Sequence, residues 1–287
     1  MNKEIDIKDI QGKTIAITGS NGGIVSNMLK MIACNNTNFI FINRNKERTQ
    51  KQILELQKIN PNISIDFVEC DLSNFESVKS AVTLLKEKSI DILLLGAGVY
   101  NVPRYQTDIG YDNVFQVNFL SQYYMVKQLL PGIKSRNGKL IAVGSIAYNY
   151  SKIREEDIDF SKEKKHSKVY GNSKRFLMFA LQQLASAEGI DLAIVHPGIT
   201  LTEMTNHYPK CINWLVKIGI KLMFTSKTNA CLPLIEGLYK STKEFEWIGP
   251  SKFNIWGKPK VKKIRNVTKK ESIQIYNNSE CLYKNLI

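Results

Sequence analysis

The amino-acid sequence predicts an α/β fold in which a doubly wound parallel sheet of about seven strands carries helices on both faces. Two observations support this prediction. Short runs rich in Ile, Val and Leu alternate with longer segments of helical periodicity along most of the 287 residues. The short runs are apolar at successive positions, which is typical of strands buried on both faces of a parallel sheet. Their alternation with helical segments favours a doubly wound arrangement.

The predicted elements follow one another in a regular order. The apolar runs predict strands over residues 13–19, 38–43, 63–68, 91–96, 139–145 and 191–198, and a closing strand near residues 252–257. Apolar spacing near 3.6 predicts helices over residues 23–34, 46–59, 74–88, 115–131, 167–189 and 229–239. Because the sequence has no internal repeat or linker, we predict a single domain over residues 1–287 with a basic C-terminal extension at residues 258–287.

The composition limits the classes of protein to which the chain can belong. It is 43% hydrophobic and 23% charged, as in ordinary soluble globular proteins, and no stretch approaches the ~20 apolar residues of a membrane-spanning helix. The five cysteines are scattered and the three histidines do not cluster, so we expect neither a disulfide framework nor a metal site. Reduced thiols, together with an N-terminus that does not resemble a signal peptide, predict a cytoplasmic protein.

The net charge of +14 is large, and basic residues become more frequent towards the C-terminus. The alternatives are a solvated, lysine-rich surface or attraction to anionic cofactors, membranes or nucleic acid. We favour the solvated surface, because no zinc-finger spacing or RNA-binding signature accompanies the charge.

The first predicted strand runs into a glycine-rich stretch, TGSNGGIV at residues 18–25, and a predicted helix follows. Glycines at such a place let the backbone turn sharply and approach a pyrophosphate, while the helix N-terminus offers unpaired N–H groups. The required order of strand, turn and helix is present. The candidate dinucleotide contacts are Gly19, Ser20, Asn21, Gly22, Gly23 and Ile24. The alternative is a glycine-rich turn that binds no ligand.

The ends of the second and third strands bear on which dinucleotide would bind. Arg44 follows the second strand, at the place where an acidic residue would hold the ribose 2′-hydroxyl of NAD. An arginine can instead pair with the 2′-phosphate of NADP, so NADP(H) is favoured over NAD(H). A solvated arginine at a helix start is the alternative. Asp71 follows the third strand, where its carboxylate could meet the adenine amino group or cap the next helix.

The segment VYGNSK, residues 169–174, places a tyrosine four residues ahead of a lysine. This spacing is slightly more than one helical turn, so Tyr170 and Lys174 share one face of the predicted helix. A neighbouring cation can lower the pKa of a phenol and make it usable as an acid and a base. Considered by itself, the pair is also compatible with an ordinary surface helix.

Taken together and in this order, the motifs resemble those of the short-chain dehydrogenase/reductase family. The resemblance extends from about residue 12 to about residue 257. The matching residues in chain order are TGSNGGI, Asp71-Leu72, Gly96-Ala97-Gly98, Asn118, Ser145, Tyr170, Lys174 and HPGITLT at 196–202. The long interval between Ser145 and Tyr170 and the segment FQVNFLSQYYMVKQLLP are similar to retinol-dehydrogenase-like and protochlorophyllide-reductase-like members.

The resemblance implies a Rossmann-type fold and a role for each matching residue. Tyr170 would be the acid/base group, and Lys174 would lower its pKa and hold the nicotinamide ribose. Ser145 would position the substrate oxygen, and Asn118 would hold a proton-relay water. Further cofactor contacts are implied for Leu72, Gly96, Ala97, Gly98, Pro197, Gly198, Ile199 and Thr202. Residues 203–225, with the amphipathic stretch 212–224, fall where family members place a mobile lid over the substrate.

Two positions depart from the family pattern. Val25 stands where the third glycine of the motif is expected, and it has to fit between helix, strand and cofactor. Leu95-Gly96 replaces the usual Asn-Asn pair ahead of Ala97-Gly98. Because amide side chains are lost near the central strands, we expect some loss of rigidity rather than of chemistry.

The resemblance implies an NADP(H)-dependent oxidoreductase that interconverts an alcohol and a carbonyl on a bulky or apolar small molecule. One alternative is a dinucleotide-binding regulator or scaffold with weak or no turnover. A nucleotide-sugar epimerase or dehydratase is disfavoured, because little chain remains for a sugar-nucleotide domain. We expect no nucleic-acid partner; contact with a membrane surface is not favoured, and a homo-oligomer stays open.

Overall fold

The strands form one sheet in the order β3-β2-β1-β4-β5-β6-β7-β8 in the computed structural model, which describes residues 7–199 and 226–287. They are β1 (Thr14–Thr18), β2 (Asn38–Asn43), β3 (Ser64–Glu69), β4 (Ile92–Leu95), β5 (Lys139–Val143), β6 (Asp191–Val195), β7 (Glu246–Lys252) and β8 (Trp256–Lys263). Strands β1 to β7 pair in parallel, and β8 pairs antiparallel with β7. The predicted fold class is confirmed, with a sheet that has one strand more than expected.

Helices cover both faces of this sheet. Those described are α1 (Gly23–Ile32), α2 (Lys46–Gln57), α3 (Phe75–Lys86), α4 (Asn113–Phe115), α5 (Ser121–Ser135), α6 (His166–Glu188), α7 (Lys227–Tyr239) and α8 (Lys269–Lys284). A π-helical segment, Gln116–Leu120, joins α4 to α5. Asparagine caps fix two of the starts: Asn45 accepts from the backbone N–H of Arg48 at α2, and Asn74 from that of Ser77 at α3.

The central strands are buried on both sides, as their continuous apolar sequences predict. In β1, Ile15 and Ile17 pack with residues of α1 and α7, whereas Ala16 between them packs with residues of α3, α5, α6 and α8. Successive side chains of a strand point to opposite faces, so an apolar core on each face requires an apolar residue at every position.

Sequence and structure differ most at the end of the chain. The predicted closing strand near residues 252–257 is wrong, because residues 253–255 form the turn between β7 and β8. The extension 258–287 contains most of β8 and the whole of α8. Strand β8 reads WGKPKVKK and lies at the edge of the sheet, where lysines are common and a continuous apolar run is absent.

Candidate active site

The candidate site residues converge at the edge of the sheet where the parallel strands end. Gly19 follows β1, Gly96 follows β4, and Ser145 and Pro197 lie just beyond β5 and β6. Strand β1 lies between β2 and β4, so the order of the strands reverses there. The crevice beside such a reversal is the usual ligand position in open α/β sheets.

The glycine-rich turn lies in close contact with the end of β4. Gly19 has a φ of 71°, and a Cβ atom at this position would lie 2.7 Å from Ala97 Cα. The backbone N–H of Gly22 donates to the Gly19 carbonyl oxygen at 2.9 Å, and Gly22 then caps α1, which begins at Gly23. Any side chain at Gly19 would push the turn away from the strand. This cradle fits a dinucleotide pyrophosphate at the start of α1.

Side chains of β2 and α2 fix the conformation of the turn. The backbone N–H of Ser20 donates to Asn43 Oδ1 at 3.0 Å, and its hydroxyl donates to Gln52 Oε1 at 2.8 Å. Asn21 Nδ2 donates to the same Gln52 oxygen at 2.8 Å. Ser20 is fully buried, so its polar groups shape the turn from within. Sequence reasoning missed Asn43 and Gln52, because a polar strand end and a glutamine in an amphipathic helix have no distinctive pattern.

Val25 occupies the space that Gly96 leaves empty. Val25 is 2% exposed in α1, and a Cβ atom on Gly96 would lie 2.8 Å from Val25 Cγ2. The same Cβ atom would lie 2.9 Å from the Thr18 carbonyl oxygen. The two departures from the family pattern therefore form one adjustment, in which the valine fits because the residue opposite has no side chain.

A glutamine of α5 supplies an amide side chain at the centre of this edge. Gln122 Oε1 accepts from Thr18 Oγ1 at 3.0 Å, and Gln122 Nε2 donates to the Asn118 carbonyl oxygen at 3.0 Å. Thr18 Oγ1 accepts from the backbone N–H groups of Gly96 at 3.1 Å and Ala97 at 3.2 Å. Together these bonds link β1, β4 and α5, at the place where we expected a loss of rigidity.

Two arginines stand on the opposite side of the turn. Arg44 is exposed directly after β2, where the sequence predicted it. Arg48, one turn into α2, donates from Nη2 to the Asn21 carbonyl oxygen at 3.3 Å. Sequence reasoning missed Arg48, because a basic residue on the exposed face of a helix is common.

The third-strand residues Asp71 and Leu72 are held by local bonds. Asp71 Oδ1 accepts from the backbone N–H of Ser73 at 2.9 Å, and Asn74 is the residue that caps α3. The alternative that Asp71 caps this helix is therefore wrong. The Leu72 carbonyl oxygen accepts from Ser121 Oγ at 2.7 Å, which ties the loop to α5.

The side chains of Ser145 and Tyr170 lie next to each other, close enough for the serine to act on the pKa of the phenol. Ser145 also accepts from the backbone N–H of Ala147 at 3.2 Å, which fixes its rotamer at the end of β5. Burial raises the pKa of the half-buried Tyr170 to about 12, while Ser145 acts in the lowering direction. The phenol therefore carries its proton at neutral pH.

Lys174 lies deeper than Tyr170 on the same helix. It is 3% exposed, and its Nζ donates to the Val143 carbonyl oxygen at 2.9 Å. Burial lowers the pKa of Lys174 to about 8, because the ammonium group loses hydration. We expected Lys174 to lower the pKa of Tyr170, and in the structure the net direction is the opposite. The reason is that Nζ lies 6.0 Å from the Tyr170 ring centroid, so burial of the phenol dominates.

Asn118 pins the segment after β4 beside this lysine. Its Oδ1 accepts from the backbone N–H of Val99 at 2.7 Å, and its Nδ2 donates to the Val99 carbonyl oxygen and to Ser173 Oγ, both at 3.0 Å. A Cβ atom on Gly98 would lie 3.4 Å from both Asn118 Oδ1 and Lys174 Nζ. Gly98 thus allows the backbone to pass directly over the two side chains.

A second tyrosine packs against the first. The ring of Tyr100 meets that of Tyr170 edge to face, with centroids 5.1 Å apart and planes at 69°. Tyr150, which follows Ser145 in a short 3-10 turn, is 51% exposed nearby and helps to raise the pKa of Tyr170. Sequence reasoning missed both rings, because neither belongs to a motif or a periodic element.

Residues near the C-terminus hold helix α6 in place. Arg175, the neighbour of Lys174, is 1% exposed and lies with Nη2 2.6 Å from Glu271 Oε1. Arg175 also donates from Nη1 to the Tyr148 carbonyl oxygen at 2.9 Å, and the Tyr148 hydroxyl donates to the Arg265 carbonyl oxygen at 2.7 Å. The loop after Ser145 and helix α6 are therefore joined through residues more than ninety positions later.

The end of β6 completes the edge. Pro197 is buried, Gly198 has a φ of 84°, and Ile199 is exposed, so this backbone turns towards the site. His196 is buried and stacks on Trp247 with ring centroids 4.7 Å apart; burial lowers its pKa to about 4. Thr202 and the expected lid at residues 203–225 lie outside the described residues.

Comparison with known families agrees with this geometry. A sequence profile described as short chain dehydrogenase matches residues 13–211. The chain belongs to the short-chain dehydrogenase family. The matched range includes the residues that meet at the edge of the sheet, from the glycine-rich turn to Tyr170 and Lys174.

Relatives within the short-chain dehydrogenase family cover most of the chain. An uncharacterized oxidoreductase of Schizosaccharomyces pombe is 32% identical over 220 residues, which are 71% of this chain and 65% of that protein. Retinol dehydrogenase 12 of Mus musculus is 29% identical over 212 residues, or 71% of this chain and 67% of the relative. The chain thus spans about two thirds of the length of these curated relatives. A protein from Mycobacterium paratuberculosis has a similar fold, with a TM-score of 0.74, 20% identity, and coverage of 97% of this chain and 96% of that one.

Proposed function

We propose that this protein is an NADP(H)-dependent oxidoreductase that interconverts an alcohol and a carbonyl on a bulky or apolar small molecule. The observation that carries the proposal is that Ser145 adjoins Tyr170, with Lys174 buried beside Gly98 at the edge where the glycine cradle opens. A proton donor, a second hydroxyl and a cation thereby adjoin a surface that fits a dinucleotide.

The residues of the chain supply proton transfer and orientation. In the reducing direction the bound dinucleotide supplies a hydride to the carbonyl carbon. Tyr170, which holds its proton at neutral pH, donates that proton to the carbonyl oxygen. The Ser145 hydroxyl fixes the position of this oxygen and stabilises the charge that develops on it. The ammonium group of Lys174 stabilises the negative charge of the tyrosinate until a proton from solvent restores the phenol.

The same arrangement would hold the cofactor along the edge of the sheet. Gly19, Gly22 and Gly23 would receive the pyrophosphate at the start of α1, and Gly96 to Gly98 would allow close approach near the nicotinamide. Arg44 and Arg48 flank the turn next to α2, and an acidic residue is absent at the end of β2. Two guanidinium groups at this place favour the 2′-phosphate of NADP over the bare hydroxyl of NAD.

The aromatic surroundings of Tyr170 support an apolar substrate. Tyr100 lies edge-on to Tyr170, Tyr150 is exposed nearby, and the half-buried Val99 belongs to the same segment. Apolar and aromatic linings with a few polar groups are typical of small-molecule sites. The name of the mouse relative, retinol dehydrogenase 12, points to a substrate of the same character. The lid over this site remains a prediction for residues 203–225.

A cytoplasmic location is part of the proposal. Cys70 and Cys231 are buried thiols, and burial raises their pKa values to about 12 and about 11. Such thiols stay protonated and pack as apolar groups, in keeping with a reducing compartment. Within the described ranges, no helix has the length and apolar character needed to cross a membrane.

The alternative of a regulator without turnover was supported by Val25 and by the altered motif Leu95-Gly96-Ala97-Gly98. Val25 packs beside Gly96, and the close approach of Gly19 to Ala97 is kept. The valine therefore gives no reason to expect a collapsed cofactor site. The alternative is distinguished by turnover and not by binding, because both proteins would bind the dinucleotide.

The test is NADPH oxidation with a series of aldehydes and ketones of increasing size. We expect turnover in the unmutated protein, and a loss of kcat of about 10²-fold or more in Tyr170→Phe with nearly unchanged NADPH affinity, because the ring remains and the proton is lost. Tyr239→Phe, on α7 and 45% exposed, is the matched control and should keep full activity. NADPH binding without turnover in the unmutated protein would support the regulator, and a Tyr170→Phe variant with wild-type kcat would overturn the assignment of the acid.

A further inference from the structure

The hairpin of β7 and β8 extends past the edge of the sheet that carries the candidate site. Strand β7 runs parallel to β6, with Val195 paired to Ile248, so β7 ends at the same edge as the other parallel strands. The turn at residues 253–255 lies beyond this end. His196 Nε2 lies 3.1 Å from the Asn254 carbonyl oxygen, which places the turn beside the segment that leads to Pro197 and Gly198.

The turn presents an apolar ring to solvent. Phe253 is 81% exposed, more than any other large apolar side chain in the part of the chain that the structure describes. Its φ is 51°, a backbone conformation that is unfavourable for a bulky residue. Exposed and strained, the phenylalanine contributes little to the stability of the fold, and its ring is accessible to a contact outside the fold.

Basic residues are frequent along the hairpin that carries this ring. Residues 252–265 contain Lys252, Lys258, Lys260, Lys262, Lys263 and Arg265 and no acidic residue. Of these, Lys262 holds the turn together, since its Nζ donates to Asn254 Oδ1 at 2.5 Å and to the Pro250 carbonyl oxygen at 3.2 Å. The other five form no ion pair with any residue between 7 and 199 or between 226 and 287.

Several lysines elsewhere on the surface are arranged differently. Lys30, Lys51, Lys79, Lys88, Lys134, Lys240 and Lys269 each lie within 3.0 Å of a carboxylate oxygen. Cations without a carboxylate partner are thus closely spaced along the hairpin, and the nearby cations Arg265 and Lys260 contribute, after burial, to a lowered pKa of Lys262. A concentrated positive field attracts an anionic partner far more than scattered paired lysines do.

We propose that the β7–β8 hairpin docks the protein onto an anionic lipid surface, with Phe253 entering the interfacial region and Lys252, Lys258 and Lys260, the cations nearest the turn, contacting headgroups. An aromatic ring flanked by lysines fits this interface, where apolar groups enter the acyl boundary and cations stay at the headgroups. A single-stranded nucleic acid would instead need several stacking rings along a charged groove, and of the other two rings of the hairpin Trp247 is buried and Trp256 is half-buried.

The docked orientation would bring the sheet edge with Tyr170 towards the membrane. A lipophilic substrate could then pass from the bilayer to the site without crossing water; this consequence, unlike the docking itself, rests on the proposed function. The sequence alone did not favour a membrane contact, either for the large positive charge or for the amphipathic stretch 212–224. The hairpin is a separate observation.

The test is cosedimentation of the full chain with phosphatidylcholine vesicles, with and without phosphatidylserine, at ~0.15 M salt. We expect binding only to the vesicles that contain phosphatidylserine. Phe253→Ser should reduce the partition coefficient by about tenfold. Lys258→Gln combined with Lys260→Gln should reduce it by about 25-fold, at about fivefold for each cation near the surface.

The matched controls lie on α2, away from the hairpin. Leu54→Ser removes another exposed apolar side chain, at 59% exposure, and Lys51→Gln combined with Lys58→Gln removes the same number of charges. These variants should bind as the unmutated protein does. Equal losses in both sets would show a general charge effect and overturn the proposal. So would absence of vesicle binding, or tight binding of a single-stranded oligonucleotide in its place. None of these readouts depends on enzymatic turnover.

Discussion

The two halves of the candidate site contain different kinds of residues. The half around the glycine-rich turn consists of glycines, neutral amides and hydroxyls, with Gln52, Asn43 and Gln122 supplying most of the side-chain hydrogen bonds. The half around Tyr170 contains two buried cations on adjacent residues, Lys174 and Arg175, at 3% and 1% exposure. Burying a charge is costly unless it is paired, so only the second half needs strong electrostatic support from elsewhere in the fold.

The two buried cations are supported in different ways. Arg175 has a carboxylate partner, Glu271, in addition to backbone carbonyl groups. The Nζ of Lys174 donates to the carbonyl oxygen of Val143, and burial leaves its pKa at about 8. The arginine can therefore be treated as a structural anchor, and the lysine as a functional group kept at the expense of stability. The difference between the two halves can be tested by removing the support from each.

Loss of Glu271 should have the largest effect on stability. Glu271→Gln leaves the Arg175 guanidinium buried without a carboxylate, and breaking such a buried pair costs about 3–5 kcal/mol. We expect the midpoint of urea unfolding to fall accordingly, with an unchanged m-value. Cofactor affinity per folded molecule should change little, because the glycine-rich half does not contact this pair.

A surface pair is the control for this experiment. Glu188→Gln breaks the ion pair with Lys134, whose side chains are 37% and 40% exposed, and should cost no more than about 1 kcal/mol. If the two variants lose the same stability, the contrast between a buried catalytic half and an ordinary surface does not hold.

The two halves also differ in how far the sequence predicted them. The glycine-rich turn, Ser145, Tyr170 and Lys174 are local motifs at strand ends, so their position followed from the order of strands and helices. The brace from Arg265 to Glu271 joins α6 across more than ninety residues, and nothing in its sequence marks a partner. The predicted closing strand was misplaced for a related reason. The edge strand β8 has lysines at alternating positions and lacks the apolar run that marks buried strands.

The direction of the pKa shift at Tyr170 could not be predicted from the sequence either. The spacing of Tyr170 and Lys174 predicted a lowered phenol pKa, but the depth of burial decides the direction, and burial depends on Tyr100 and on the loop after Ser145. The fit of Val25 likewise depended on a residue of another strand, Gly96. Local pattern identifies which groups meet, whereas their energies depend on contacts that are distant in the chain.

The second prediction tests Arg44 and Arg48, the two charged residues next to the glycine-rich turn. Arg44→Ala and Arg48→Ala should each reduce the preference for NADPH over NADH by about 1.5–3 kcal/mol, the range for a hydrogen bond to a charged group. The measurement is the ratio of the dissociation constants of the two cofactors by fluorescence titration. Lys46→Ala, at the exposed start of α2, is the control for loss of a nearby charge. Equal affinity for NADPH and NADH in the unmutated protein would contradict the proposed cofactor.

The smallest effect is expected from substitutions at the contact between Gly96 and Val25. In Gly96→Ala the new methyl group meets Val25 Cγ2 at 2.8 Å and the Thr18 carbonyl oxygen at 2.9 Å, so we expect a loss of about 1–3 kcal/mol from overpacking. Val25→Ala removes one of these obstacles and leaves the backbone oxygen. Combining the two substitutions should therefore restore part of the loss, with a coupling of about 0.5–1.5 kcal/mol in a double-mutant cycle measured by urea unfolding. Additive losses would mean that Val25 and Gly96 do not form one adjustment, and that the valine is accommodated by movement of α1.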